Sequence, residues 1–444
     1  LRDVIVLLII FSTIPFIFRS PFIGVLTWCW VSYMVPHKLA WGFARDFPVA
    51  LIIAAAFLVS FFITKEKRSI PLSSVVVGLI LFNLWIVVVT LVTPGSPYEA
   101  MQFEKVFKIQ LFTFLSLALI NSEKRINQFV AVIALSISFY GIKGGIFTIT
   151  SGGGERVWGP PGGFFEGNNE LALTLLMALP LMFYLIQITQ NKWLKRALYA
   201  GIALTAVAAI GTHSRGAMLA ACSVLFILWL RSRRKVIALV IALVAVTTVV
   251  SFMPQHWHDR MASTFQSKEE DYDTSAQGRI NAWRFAYNYA QDNLFGGGFD
   301  SFTPANFFIY APDPYMFQDA HSIYFQVLGN FGFFGLFLFL LLGVLSWLKA
   351  GSTVKLAKKH PEIKWAGELS KMLQCSLVAY AVGGAFLGLA YFDLPYHLMI
   401  LIAAINTVAS KQLADKAADS PTKIINETGV QKLRRGQRSS GAPG

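Results

Sequence analysis

Charge is scarce in this chain. Only 14% of its 444 residues are Asp, Glu, Lys or Arg, against about 25% in an ordinary soluble domain. Hydrophobic residues make up 55%. That balance excludes a water-soluble globule. Cysteine is nearly missing. Cys29, Cys222 and Cys375 all lie in hydrophobic segments, so they suggest neither a disulfide framework nor a thiolate metal site. They read as small core hydrophobes. The short alternating segments of a transmembrane β-barrel are also missing, and no internal repeat is found.

What remains is hydrophobic runs. They fall near 4–18, 21–35, 48–64, 74–93, 103–120, 126–149, 170–190, 195–211, 215–230, 235–252, 321–348, 369–391 and 396–410. Most approach the roughly 20 residues that cross a ~30 Å hydrocarbon core. Without water to bond the backbone, such runs must be helices. The first two are short and divided by Arg19-Ser20-Pro21, so they are either two short helices or one broken element. The expectation is an all-α polytopic membrane protein of about 12 transmembrane helices with a large, partly helical external loop. No small-residue cleavage site follows the first run, which is expected to be retained.

The formal charge of +14 does not indicate nucleic acid. The excess sits in short clusters: Lys65/Lys67/Arg68, Lys124/Arg125, Lys192/Lys195/Arg196, Arg231/Arg233/Arg234/Lys235, the lysines from Lys349 to Lys364, and Lys432 to Arg438. All fall on alternate loops, so one orientation places them all in the cytoplasm. The chain then divides into 1–252, N-terminal helices with short external loops; 253–320, the long external loop; 321–410, C-terminal helices; and 411–444, a disordered basic cytoplasmic tail near anionic lipid. The long loop carries four cations against nine anions, a net −5. Within it, 278–291 has helical spacing, with Ile280, Trp283, Ala286, Tyr287 and Ala290 on one side, ended by Gly296-Gly297-Gly298.

Several basic positions share the external face. Arg215, in Gly211-Thr-His-Ser-Arg-Gly-Ala217, opens a span. A guanidinium at a helix N-terminus suits a phosphate. The alternative is an arginine that snorkels at a span end, but positive-inside counting disfavours arginine on this side. Arg279, in Gly278-Arg-Ile-Asn-Ala-Trp-Arg284, can give a second phosphate contact, with Arg284 as the other choice; either can also be a surface arginine paired with a loop acid. His321 opens the eleventh run. A helix start favours the neutral imidazole, which can take a proton from a sugar hydroxyl. Asp319 is close enough in sequence to orient it. Gly332 and Gly335 read as close-packing positions. In the loop 152–166, Arg156 and Trp158 can line a glycan site, the indole stacking on a sugar face, or the loop is only a flexible link. It is no nucleotide loop, since no Gly-Lys-Ser/Thr follows. Lys143 either snorkels or helps bind phosphate. His213, His256 and His258 lack metal-site spacing. The pair Asp271 and Asp273 reads as solvated.

On these residues the chain resembles the O-antigen ligase and polymerase superfamily of bacterial envelopes. The resemblance rests on Ser214-Arg215-Gly216 at a span start, Gly278-Arg279 with Trp283 and Arg284 in the long loop, Asn293-Leu-Phe-Gly-Gly-Gly-Phe299, and the motif His321-Ser322 with its trailing Gly332 and Gly335. It is best over about 150–350. The histidine motif looks most like the O-antigen ligases. The stretch Gly159-Pro160 to Ala172 also resembles ligase-like members associated with exosortase systems.

The resemblance implies a glycosyltransferase of the inner membrane with a periplasmic site, working without metal or other cofactor and inverting the anomeric centre. Its donor would be a glycan on undecaprenyl pyrophosphate, and its acceptor a sugar hydroxyl of lipid A–core. Arg215 and Arg279 would hold the pyrophosphate, and His321 would be the general base. Arg284, Lys143, Arg156, Trp158 and Asp319 are expected in substrate binding. Three alternatives stay open. A polymerase of the same superfamily would use a second lipid-linked glycan as acceptor. A transporter of lipid-linked sugars would need mid-span charges and paired broken helices. A membrane scaffold would leave the external arginines without a purpose.

Overall fold

The computed structural model describes residues 1–93, 95–232, 234–262 and 274–436. Helix takes 80% of the chain, and no strand occurs among the described residues. In order, the helices are α1 (Arg2–Phe11), α2 (Ile14–Arg19), α3 (Pro21–Met34), α4 (Val49–Ile63), α5 (Ser74–Val92), α6 (Pro97–Leu119), α7 (Glu123–Thr150), α8 (Asn168–Ile188) and α9 (Lys192–Gly211). Then follow α10 (Arg215–Arg231), α11 (Lys235–Phe252), α12 (Gln255–Ala262), α13 (Thr274–Asp292), α14 (Pro304–Tyr310), α15 (Ile323–Lys359), α16 (Lys364–Gly383) and α17 (Asp393–Gly436). Every hydrophobic run of the sequence contains a helix. Among the described residues, six helices are long and apolar enough to cross a membrane: α5, α7, α8, α9, α15 and α17 over Asp393–Ala418. α3 and α4 are shorter apolar helices. By length and hydropathy, then, the structure supports six spans, while the count of twelve stays an expectation.

Polar residues at the boundaries say why helices start where they do. Ser73, Ser96, Ser122 and Ser214 each accept a bond from the backbone N–H three residues on, and Asn191 caps α9. The first run is broken. Pro15 has no N–H for the Phe11 carbonyl, and the Ser12 and Thr13 hydroxyls bond the Ile9 and Ile10 carbonyls instead. α1 and α2 are therefore one interrupted element, and α3 is separate. The last helix runs on to Gly436, where the sequence suggests a disordered tail from 411. Ala, Leu, Lys and Gln between Lys411 and Ala418 are good helix formers. Residues 437–444 lie outside the described part.

The loops gather at two ends of the bundle. At one, Glu66 pairs with Arg125 and accepts from Ser20, Asn121 bonds the Lys67 carbonyl, Gln412 bonds Glu123, and Lys416 pairs with Glu362. This end holds basic clusters. At the other, Asp3 accepts from Gly42 and Ala44 N–H, Val157 N–H bonds the Gly211 carbonyl, and Asn168 bonds the Thr212 carbonyl.

The described part of the long loop packs at this second end. α13 lies against α14 and α15. Its buried face is Ala282, Phe285, Ala286, Tyr289 and Ala290, with Phe285 stacked on Phe307 at 4.1 Å. This corrects the predicted face. Ile280 and Tyr287 are exposed, because the aromatic pair with α14 rotates the helix. Lys268 and the acids Glu269, Glu270, Asp271 and Asp273 lie outside the described residues.

Candidate functional site

His321 lies in the turn before α15, with Ser322 as the N-cap. Its φ of 43° is left-handed, uncommon for a residue with a side chain. Two contacts of one tryptophan hold the turn. Trp283 Nε1 donates to the Ala320 carbonyl at 2.7 Å, and its ring stacks on Phe325 at 5.1 Å and 8°. The clamp grips the chain on both sides of His321.

The imidazole is half-buried. Burial lowers its pKa, and the Arg279 guanidinium lowers it further, while Asp319 and Glu170 act in the opposite sense. The net direction is down, so the neutral ring is favoured. Arg279 precedes Trp283 by one turn of α13 and is half-buried, whereas Arg284 is exposed. Periodicity explains the choice: residues 279 and 283 share a face, and 284 points elsewhere. Among the two loop arginines, the structure brings Arg279 to the histidine.

Arg215 is the first residue of α10, behind the Ser214 cap, whose Oγ accepts from Ala217 N–H at 3.3 Å. The turn Gly384–Phe386 is the common abutment. A Cβ on Gly216 would lie 3.4 Å from Phe386, Trp283 is 6.4 Å from the Phe386 ring, and Ile323 packs on Gly384. The α10 start and the His321 turn thus rest against one element.

His213, two residues before Arg215, is buried with φ 57°. Its Nε2 lies 3.0 Å from the Gly153 carbonyl, His256 Nε2 is 3.1 Å from Gly154 O, and His258 Nε2 is 3.1 Å from Met253 O. A ring nitrogen meets a carbonyl as a donor, so these histidines fasten backbone. Among the described residues no group of three or more His, Cys, Asp or Glu is placed to hold a metal ion.

The remaining candidates are more dispersed. Arg156 and Trp158 are exposed on the Gly-rich loop, flanking Val157, which is buried against Gly144. Lys143 lies on the exposed face of α7 and makes no hydrogen bond or ion pair among the described residues. Asp319 is exposed beside His321. With Asp300 it also pushes the Tyr98 phenol upward, after burial, so the first turn of α6 reaches this site.

Two acids escaped the sequence reading. Glu170 sits in the first turn of α8, at the start of the hydrophobic run 170–190. A Gly followed three residues later by Glu at a helix start was the available signal. Glu99 is 1% exposed, accepts from Thr93 Oγ1 at 2.9 Å and from Phe299 N–H, and its pKa is raised by burial. It ties α6 to the turn after α13.

The family comparison falls on these elements. Residues 200–340, which include Arg215, Arg279 and His321, match the family model described as O-Antigen ligase. The match spans 141 of the 444 residues, and the likeness to that family is a property of this segment. Residues 1–190, which supply Glu170, match a family of unknown function (DUF5935). No curated protein matches the chain. The apolar helices together with this match support a multi-pass membrane protein.

Proposed function

We propose that this protein is an O-antigen ligase. It moves a glycan from undecaprenyl pyrophosphate to a sugar hydroxyl of lipid A–core at the periplasmic face of the bacterial inner membrane. The observation that carries the reading is the half-buried His321 with Arg279 acting on its imidazole, at the end of the bundle opposite the basic clusters. The basic loops then face the cytoplasm, and the count of about twelve spans is part of this proposal.

In this reading neutral His321 takes the proton of the acceptor hydroxyl as its oxygen attacks the anomeric carbon. The bond from that carbon to the pyrophosphate oxygen breaks, and the configuration inverts. Arg279 and Arg215 stabilise the charge arriving on the departing pyrophosphate. Glu170 and Asp319 flank the imidazole and stabilise its protonated form after transfer. Arg284, Arg156, Trp158 and Lys143 are outer contacts for the glycan and its phosphates. The reaction needs no ATP and no metal.

The test is transfer from an undecaprenyl-pyrophosphate glycan to purified lipid A–core, without ATP and with EDTA. Wild type should form core-linked product, and His321→Ala should not. Polymerised donor with no core-linked product would instead assign a polymerase. Donor crossing vesicle membranes without new glycosidic bonds would overturn the enzyme reading in favour of transport.

A further inference from the structure

A cavity lies away from the site, at the opposite end of the bundle. It measures about 790 Å³ and opens between α7, α8 and α9, inside the ~300–1,000 Å³ range of small-molecule sites. Its walls are apolar: Ala131 and Leu135 of α7, Leu185 and Ile188 of α8, Leu194 and Leu198 of α9. Its mouth is polar, with Lys124, Asn127 and Gln128. Lys192, Lys195 and Arg196 share the first turns of α9 with Leu194. Glu123, the carboxylate at the rim, accepts from Gln412 of α17 at 3.1 Å. Lys124 is the cation that lines the mouth, its neighbour Glu123 is engaged, and the three cations of α9 stand beside it in the turns that carry Leu194. Trp193 beside it is 75% exposed, with the Arg196 guanidinium 4.9 Å from its ring. An exposed indole with cations marks a membrane interface.

The cavity has a structural origin. Towards the far end, α7 and α9 touch closely: a Cβ on Gly144 would lie 3.1 Å from Ala208, and one on Gly145 would overlap the Leu204 carbonyl. Towards the basic end Ala131 and Leu135 of α7 take the place of such glycines, and the cavity opens there. The far ends of the same helices carry the Gly-rich loop and the 211–215 turn.

We propose that this cleft binds one anionic phospholipid, its acyl chain between α7 and α9 and its phosphate on Lys124 at the mouth, within the field of the α9 cations beside it. Chain-sized apolar walls and a cationic rim together fit that chemistry. The proposal rests on the membrane reading of these helices, and the topology above names the leaflet as cytoplasmic.

The test is native mass spectrometry of the full, delipidated chain in mild detergent, titrated with phosphatidylglycerol or phosphatidylethanolamine. Phosphatidylglycerol should bind one to one and more tightly. Lys124→Ala with Lys195→Ala should weaken it about fivefold per lysine and leave phosphatidylethanolamine unchanged. Ala131→Trp should remove the adduct by filling the cleft. Where that variant does not fold, Leu135→Trp fills it from the half-exposed rim. Equal binding of both lipids, or a tryptophan variant that binds like wild type, would overturn the proposal. Loss of transfer with lipid binding intact would count against the ligase reading alone.

Discussion

Gly332 lies inside α15 with φ 65° and ψ −172°, a non-helical conformation in the middle of a 37-residue helix. Only glycine adopts that region without strain, which for other residues costs about 1–3 kcal/mol. A Cβ there would also overlap the Leu294 carbonyl and lie 3.1 Å from Gly296 N. These are backbone atoms, so Ala must displace the turn after α13. The turn is tied to the kink by Gly297 N–H to the Gly329 carbonyl at 3.1 Å, and Trp85 Nε1 bonds the Phe331 carbonyl at 2.9 Å. Losing both adds roughly 2 kcal/mol, so Gly332→Ala should destabilise by about 3–5 kcal/mol. The control is in the same helix. Gly343 has no heavy atom within 4 Å of a built Cβ, and Ala there should stabilise by about 0.5–1 kcal/mol. Thermal unfolding in detergent reads both, with Gly332→Ala melting below wild type and Gly343→Ala at or above it. If Gly332→Ala cannot be purified, protease resistance in native membranes gives the same order. The turn also seats Glu99 and continues α13, so the protein that survives should lose about 10²-fold in transfer rate. Wild-type melting by Gly332→Ala would refute the account of the kink.

Arg279→Ala should lower transfer by about 10²–10³-fold, and Arg284→Ala should stay within about threefold because exposed charges contribute little; equal losses would refute the choice between them. The acid limb of the pH–rate profile should lie below the ordinary imidazole value of about 6.5, because a base with a lowered pKa stays neutral to lower pH. Asp319→Asn removes a charge that raises that pKa and should move the limb further down. Arg279→Gln removes one that lowers it and should move the residual activity's limb up; unmoved limbs in both would sink the electrostatic account. Trp283→Phe keeps an aromatic surface on Phe325 but loses the 2.7 Å bond to Ala320. It should cost about 1 kcal/mol of stability and lower kcat more than it raises KM, whereas an unchanged kcat would show that the clamp does not position the histidine.

Much of the helical plan was legible because a bilayer leaves the chain few options. Apolar runs ended by Ser or Asn read directly as helices, and α5 to α10 begin close to where those residues stand. Local competition was harder to see. The break between α1 and α2 depends on two hydroxyls and a proline acting together. The rotation of α13 depends on Phe285 meeting Phe307, a partner 22 residues further on, so no pattern within 278–291 contains it. The kink at Gly332 is a backbone angle, and a glycine in a helical run only permits it.

The candidate site divides in the same way. His321 and the arginines stand out because polar groups at apolar boundaries are rare. Which loop arginine meets the histidine was not legible, since 279 and 284 both lie in the helical stretch; the Trp283 clamp decides it. Glu170 was invisible for a different reason. It lies 151 positions before His321 in sequence, and nothing within either segment refers to the other. Yet its carboxylate acts on the imidazole, and α8, which carries it, packs against α7, α9, α10 and α16. The N-terminal segment that matches a family of unknown function therefore shares in the surroundings of the site carried by residues 200–340. It contributes charge to the histidine's surroundings, and its loop 150–169 is fastened to the 211–215 turn by Val157, Asn168 and His213. An account of the chemistry drawn from 200–340 alone would omit an acid that acts on the proposed base and the loop bonded to the turn before Arg215.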